Sequence, residues 1–225
     1  MPKATKSSKR RSSRQRGTAD GPHRPELESI RERIDEIDAD LHRLINERAK
    51  LAREVGISKH QDGHTVDFYR PEREAQVLRL ARERNRREHG PLRDEEVLRL
   101  FREIMSACLA QQEPLKVGFL GPEGTFTQQA VLKQFGHSVR ALSLASIEEV
   151  FHEVEAGSAD FGVVPIENSS EGTVNNTLDM FLSSPLHICG EVELLIHHNL
   201  MGRMGLLEQV RRVCAHQQAL AQCRG

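Results

Sequence analysis

The chain has 225 residues, with 32 basic and 33 acidic side chains, no Trp and a single Tyr. That length suffices for one or two domains with a real core, and so few rings speak against a stacking platform for single-stranded nucleic acid. No apolar run approaches the roughly 20 residues that span a bilayer, and four scattered cysteines without CxxC spacing argue against a zinc or disulfide framework and suit a reducing cytoplasm.

Residues 1–25 hold eight of the basic side chains and one acid, which leaves 24 basic against 32 acidic residues for the rest. This Ser-rich tail is nearly free of apolar residues. It reads as a disordered, solvated segment rather than a nucleic-acid contact, and it lacks the apolar core of a signal peptide. Pro25-Glu26 then opens a long helix. Leu27, Ile30, Ile34, Ile37, Leu41, Leu44, Arg48, Leu51 and Val55 step along it by 3 and 4, a heptad seam with one arginine in it. Such a helix is about 45 Å long at 1.5 Å per residue and wants a second copy or two return helices to cover its seam. Gly56 weakens its end, and residues 60–67 read as a loop around Asp62-Gly63.

Pro71 suits the first turn of a second helix, Glu72 to Arg87. Asp94 suits the N-cap of a third, which runs to Gln112 with Val97, Leu98, Phe101, Ile104, Met105, Cys108 and Leu109 on its core face. The helical domain spans 26–113. From Leu115 the pattern changes to α/β, over 115–225. Strands are expected at Lys116–Leu120, Val139–Leu144, Phe161–Ile166 and within Ile188–Ile196, with a β-α start in Val210–Cys223. Helices are expected at Thr127–Phe135 and Ile147–Ala156, and a further one after Gly172. The sheet should be mostly parallel with ligand loops at the strand C-termini.

An arginine in an apolar seam is expensive unless an anion meets it. Arg31, Arg48 and Lys59 are therefore candidates for holding an anion inside a bundle. Arg48 and Lys59 share a face, 11 residues or about 16 Å apart. Arg73 starts the second helix, and Gln112 ends the third beside Cys108. Converging cations and a neutral amide suit a small dicarboxylate, and no nucleophile–base pair points to hydrolysis. Taken singly, Arg31 and Arg73 read as surface charges, Glu74 as a solvated residue, and Gly121–Thr127 as a plain turn. Glu167-Asn168-Ser169 follows a buried strand, where ligand loops occur. His197-His198 would point to opposite faces of a strand, so no metal site is expected there; no cofactor is expected either.

The run Ile30-Arg31-x-x-Ile34-Asp35-x-x-Asp38, Leu44-Ile45-x-x-Arg48, Lys59 and Tyr69-Arg70-Pro71-Glu72-Arg73-Glu74 resembles the all-helical chorismate mutases fused to prephenate dehydratase in bacterial bifunctional P-proteins. The resemblance implies an intertwined homodimer of paired long helices. It implies that Arg31 grips a substrate carboxylate in the partner's site and that Arg48 binds the other carboxylate. Lys59 and Gln112 would then hydrogen-bond the ether oxygen, Glu74 would take the ring hydroxyl, and Arg73 would steady the site, which Arg70 and Cys108 help to line. The implied reaction is the Claisen rearrangement of chorismate to prephenate, with no proton transfer. Cys108 and Arg70 depart from relatives that carry a small hydroxyl and an acid there.

GPEGTFT, VVPIENSSEGTVNNTLD and ICGEVEL, from Lys116 onward, are similar to prephenate dehydratase. That family has two α/β lobes arranged like a periplasmic binding protein, and it converts prephenate to phenylpyruvate with loss of water and carbon dioxide. Asn168 and Gln222 match residues lining the prephenate site, and Thr125, Phe126, Thr127, Glu167 and Ser169 lie on adjoining loops. Ala215 stands where the family has Ser. The family's Thr-Arg-Phe/Asp segment and its phenylalanine-binding regulatory domain have no counterpart. The expectation is a C-terminally truncated P-protein with an incomplete α/β domain, whose mutase is complete and whose dehydratase activity is lost. The alternative is a non-catalytic helical dimer that docks nucleic acid through the basic tail.

Overall fold

Pro25 and Glu26 stand in the first turn of α1, Arg24–Gln61, a helix of 38 residues. A computed structural model of the chain describes residues 24–61, 69–169, 172–202, 207–215, 219–220 and 223. The basic tail up to residue 23, the loop expected around Asp62-Gly63, the segment 216–218 and Gln222 lie outside them. The chain divides into two compact units, Met1–Leu44 and Ile45–Gly225. In the first, every side chain described from residue 26 to residue 44 is exposed. The seam residues Leu27, Ile30, Ile34, Ile37, Leu41 and Leu44 are each about half bare, Ile37 at 57%.

The second unit begins with the rest of α1. Leu51 and Val55 of the seam remain exposed, whereas Arg48, Ala49 and Ala52 are partly covered and Gly56 is buried. Helix α2, Pro71–Glu88, starts on proline and ends on His89 in the left-handed region, φ 51°. Helix α3 is Asp94–Leu109, three residues shorter than the periodicity suggested. Gln112 sits just past it in a turn, its N–H donating to the Leu109 carbonyl at 2.8 Å. Asp94 is not the N-cap: Arg93 holds that place. The Asp94 carboxylate instead accepts from Asn85 Nδ2 at 2.9 Å and Arg86 Nε at 2.6 Å, which ties the start of α3 to the end of α2. These bonds hold its carboxyl below the usual carboxylate range.

Strand β1, Lys116–Leu120, lies between β2, Arg140–Leu144, and β3, Phe161–Val163, and pairs with both in parallel. Parallel neighbours need crossovers. Here they are α4, Phe126–Phe135, and α5, Ile147–Glu155. Val117 and Phe119 of β1 are fully buried with Leu115, Val131 and Phe135, and Tyr69, just before α2, packs on this core. A short antiparallel hairpin, β4 (Glu167–Asn168) with β5 (Gly172–Thr173), leads into α6, Asn175–Ser183. The fold is thus a helical N-terminal part followed by an α/β part with a small parallel sheet.

Three expected strands change. Phe161–Ile166 keeps only its first three residues in the sheet, because Pro165 has no N–H to donate to a ladder. Ile188–Ile196 forms no strand. Its alternation is strand-like, but a strand needs a neighbouring backbone. This segment instead runs beside α4, where Lys133 Nζ donates to the Glu193 carbonyl at 2.7 Å and Leu195 is left 82% exposed. Residues 210–215 are irregular rather than a strand, after a single 3-10 turn at Leu207–Gln209.

Candidate active site

Arg48, Ala52 and Gly56 are four residues apart and so line one stripe of α1. Gly56 is where this stripe meets the end of α3. A Cβ at Gly56 would stand 2.8 Å from Gln112 Oε1 and 2.9 Å from its Cγ, so only glycine lets that side chain lie against the helix. Gln112 Oε1 is buried and has no hydrogen-bond partner. An orphaned buried amide oxygen forfeits about 1–3 kcal/mol. The two ends of an amide are assigned by hydrogen bonding, so this tip offers either C=O or NH2 to whatever enters. Arg48 lies two turns earlier on the stripe, about 12 Å along the axis. Cys108, one turn before Gln112, is only 2% exposed. Lys59 is in the last turn of α1, and its side chain is outside the described residues.

The other expected site residues separate. Arg70 is exposed at the N-cap of α2, its carbonyl accepting the Glu74 N–H at 3.1 Å. Arg73 is exposed and donates from Nη1 to Gln76 Oε1 at 2.6 Å. Glu74 turns inward and accepts from Arg102 Nε at 3.2 Å, with side-chain exposures of 12% and 24%. Tyr69 stands beside Glu74, close enough to feel its charge. Burial, with the charge of Glu74, pushes the tyrosine pKa well above its ordinary value. Arg31 is exposed and belongs to the other unit.

In the α/β half the turn after β1 uses its own polar groups. Thr125 is the N-cap of α4, its Oγ1 donating to the Leu120 carbonyl and accepting from Gln128 N–H, both at 3.4 Å. Gly124, at φ +83°, donates its N–H to Gln128 Oε1 at 2.6 Å. Phe126 meets His198 edge-on at 6.2 Å, and Thr127 is partly covered. Beside this turn, Gly121, Pro122, Ser143, Leu144 and Ala145 line an open cavity of about 350 Å³. It lies at the carboxyl ends of β1 and β2, where open α/β sheets bind ligands. Glu167 and Ser169 are exposed, and Asn168 pairs with Gly172 in the hairpin.

Periodicity missed three residues that shape these clusters: Gly56, Tyr69 and Arg102. Gly56 carried a signal, since a glycine inside a helical pattern costs stability and calls for a packing reason or a nearby helix end. Tyr69 and Arg102 carried none that local sequence could read. Among the described residues, no group of three His, Cys, Asp or Glu side chains could hold a metal ion, and no helix is long and apolar enough to cross a membrane.

Two family models match the chain: chorismate mutase type II over residues 30–113 and prephenate dehydratase over residues 117–225. The bifunctional chorismate mutase/prephenate dehydratase of Pseudomonas aeruginosa is 54% identical over 203 residues, covering 88% of this chain and 55% of that protein. The namesake from Stutzerimonas stutzeri is 53% identical over 203 residues, with the same coverage. That from Neisseria gonorrhoeae is 50% identical over 194 residues, covering 86% of this chain and 52% of that protein. The chain therefore spans about half the length of the curated relatives it matches. No solved structure gives a significant match.

Proposed function

We propose, for a chain that belongs to the family of bifunctional chorismate mutase/prephenate dehydratases, that its helical half rearranges chorismate to prephenate. The observation that carries this reading is the buried, unbonded amide oxygen of Gln112, seated on the stripe of α1 that also bears Arg48. Arg48 offers a planar fork to one carboxylate of the substrate. Gln112 offers its NH2 to the ether oxygen, where negative charge builds as the C–O bond breaks, and Lys59 joins it from the end of α1. Arg31 of a second copy meets the other carboxylate, Glu74 takes the ring hydroxyl, and Arg70, Arg73 and Cys108 complete the surroundings.

The rearrangement is unimolecular. One C–O bond breaks as one C–C bond forms, and no side chain exchanges a proton. Rate gain comes from holding the folded conformer and from donors already aimed at the developing charge. No metal or cofactor is called for by this chemistry.

The bare seam supports a homodimer. Eight large apolar side chains in a row on one helix are covered most simply by the same seam on a second copy, about a two-fold axis. We place the catalytic helical domain at 26–113 and a prephenate-binding α/β domain at 115–225, with Thr125, Phe126, Thr127, Glu167, Asn168, Ser169 and Gln222 around its ligand loops. Free thiols at Cys189, Cys214 and Cys223, all exposed, suit a cytoplasmic setting. The relatives lend no support to the nucleic-acid-binding alternative. Purified protein should consume chorismate, followed by its ultraviolet absorbance. Arg48→Ala should abolish the loss and deletion of residues 1–22 should not. Salt-sensitive nucleic-acid binding that vanishes with that deletion, in a protein inert toward chorismate, would establish the alternative.

A further inference from the structure

We propose that Arg102 is a positioning residue for chorismate rearrangement, holding the Glu74 carboxylate from a mooring on the α/β half. This inference rests on the reading of Glu74 as the group that meets the ring hydroxyl. Arg102 stands on α3 between two acceptors. Its Nε donates to Glu74 Oε1 at 3.2 Å, and its Nη1 donates to the Lys133 carbonyl at 3.0 Å. Lys133 lies in the last turn of α4, where carbonyls lack helical partners and the helix end carries partial negative charge. The guanidinium therefore closes α4 and pairs with Glu74 at once.

A second neighbour of Glu74 is rooted in the same place. Tyr69 faces the carboxylate, and its ring packs on Phe135 of α4 at 5.6 Å and on Phe161 of β3 at 5.2 Å. Around them α3 and the end of α4 are joined by further bonds. His137 N–H donates to Glu103 Oε2 at 3.1 Å, and Ser138 N–H donates to Ser106 Oγ at 3.3 Å. Gly136, at φ +78°, admits Ser106 to a spot where a Cβ would be 2.6 Å from its Cβ. The junction is tight enough to transmit position.

Occupancy does not disqualify Glu74. An ionised carboxylate has about four acceptor sites, of which Arg102 takes one, so sites remain for a substrate hydroxyl even with Tyr69 alongside. The pair is largely withdrawn from solvent, unlike Arg43–Asp40 or Arg87–Glu88, whose side chains are all more than 60% exposed. Burial strengthens the bond and restricts where the carboxylate can sit. The α/β half thereby sets the geometry of a group in the helical half's site.

The test is a double-mutant cycle on the 225-residue protein, with kcat/KM for chorismate as the readout. Arg102→Gln should lower kcat/KM by about tenfold or more, the scale of a misplaced substrate contact. In a Glu74→Gln background the same change should cost less than about twofold, because the group Arg102 acts through is already gone. Arg102→Lys should recover part of the loss, since lysine keeps the charge but only one bond. Tyr69→Phe gives the same cycle from the other side and opens no cavity. It decides the matter if Arg102→Gln fails to fold. Equal losses in both backgrounds, or no loss in either, would overturn the proposal. A wild-type protein inert toward chorismate, or an Arg48→Ala variant that stays active, would defeat the mutase reading itself, so the two failures are distinguishable.

Discussion

Leu51 and Val55 are more than half exposed on α1, while Ala52 and Gly56, each one residue further along, are covered by their own chain. The two stripes share one backbone and differ in side-chain size. Large branched residues on the seam hold neighbours away and bury apolar area only when an equal seam meets them. Alanine and glycine on the other stripe let a return segment come close, to the point that a Cβ at position 56 would stand 2.8 Å from Gln112 Oε1. The small-residue stripe has its partner in Gln112, just past α3, and the proposed second copy would cover the seam. Arg48 belongs to both rows.

Arg48→Leu should separate the two roles most sharply. It completes the apolar seam, so the dimer should hold or tighten, as when a buried charge gives way to a hydrophobic residue. Chorismate turnover should fall by roughly 1,000-fold with the loss of a preorganised charge. Sedimentation and the ultraviolet assay read the two effects separately, and a loss of dimer in step with activity would break the distinction. Next in size, Ile37→Asp places a charge in the seam of each copy. It should weaken dimerisation by more than about 100-fold, and activity should become dependent on protein concentration.

Gly56→Ala addresses the other stripe. The new methyl displaces the end of the Gln112 side chain, and turnover should drop by about tenfold. Thermal stability should stay level or rise, because alanine is favoured over glycine inside a helix by up to ~1 kcal/mol. A parallel fall in melting temperature would mean that the packing itself, rather than the amide's position, was lost. The smallest effect concerns Asp94→Asn at the α2–α3 corner. Asp94 is held in its ionised form, so its contribution is present above its ordinary pKa near ~3.9 and fades as pH falls through its lower folded value. The variant should melt slightly below wild type at pH 7, and the gap should close on acidification.

Much of the helical half is legible from spacing. The seam, the proline that begins α2 and the apolar face of α3 are local features, repeated at 3.6-residue periods, and no distant partner is needed to see them. The sheet is less so. Phe161 looks like the start of a six-residue strand until Pro165 removes a donor, and Ile188–Ile196 has the alternation of a strand with no neighbour to pair with. Asp94 fits an N-cap by residue type, yet Asn85 and Arg86 claim it from another helix. The site divides along the same line. Arg48 announces itself as a charge in an apolar row, whereas the importance of Gly56 and Arg102 depends on residues 56 and 31 positions away.

The residue order by itself determined that α1 would be long and two-faced, that a cation would interrupt its seam, and that an α/β segment would follow. These depend on propensity and periodicity, which act over a few neighbouring residues. Only tertiary structure decided that the amide oxygen of Gln112 would lie buried and unbonded against Gly56. The same holds for Glu74, held by Arg102 and flanked by Tyr69. Which polar groups lose water, and which partners they then find, is set by the meeting of segments far apart in the chain, and no local pattern encodes that meeting.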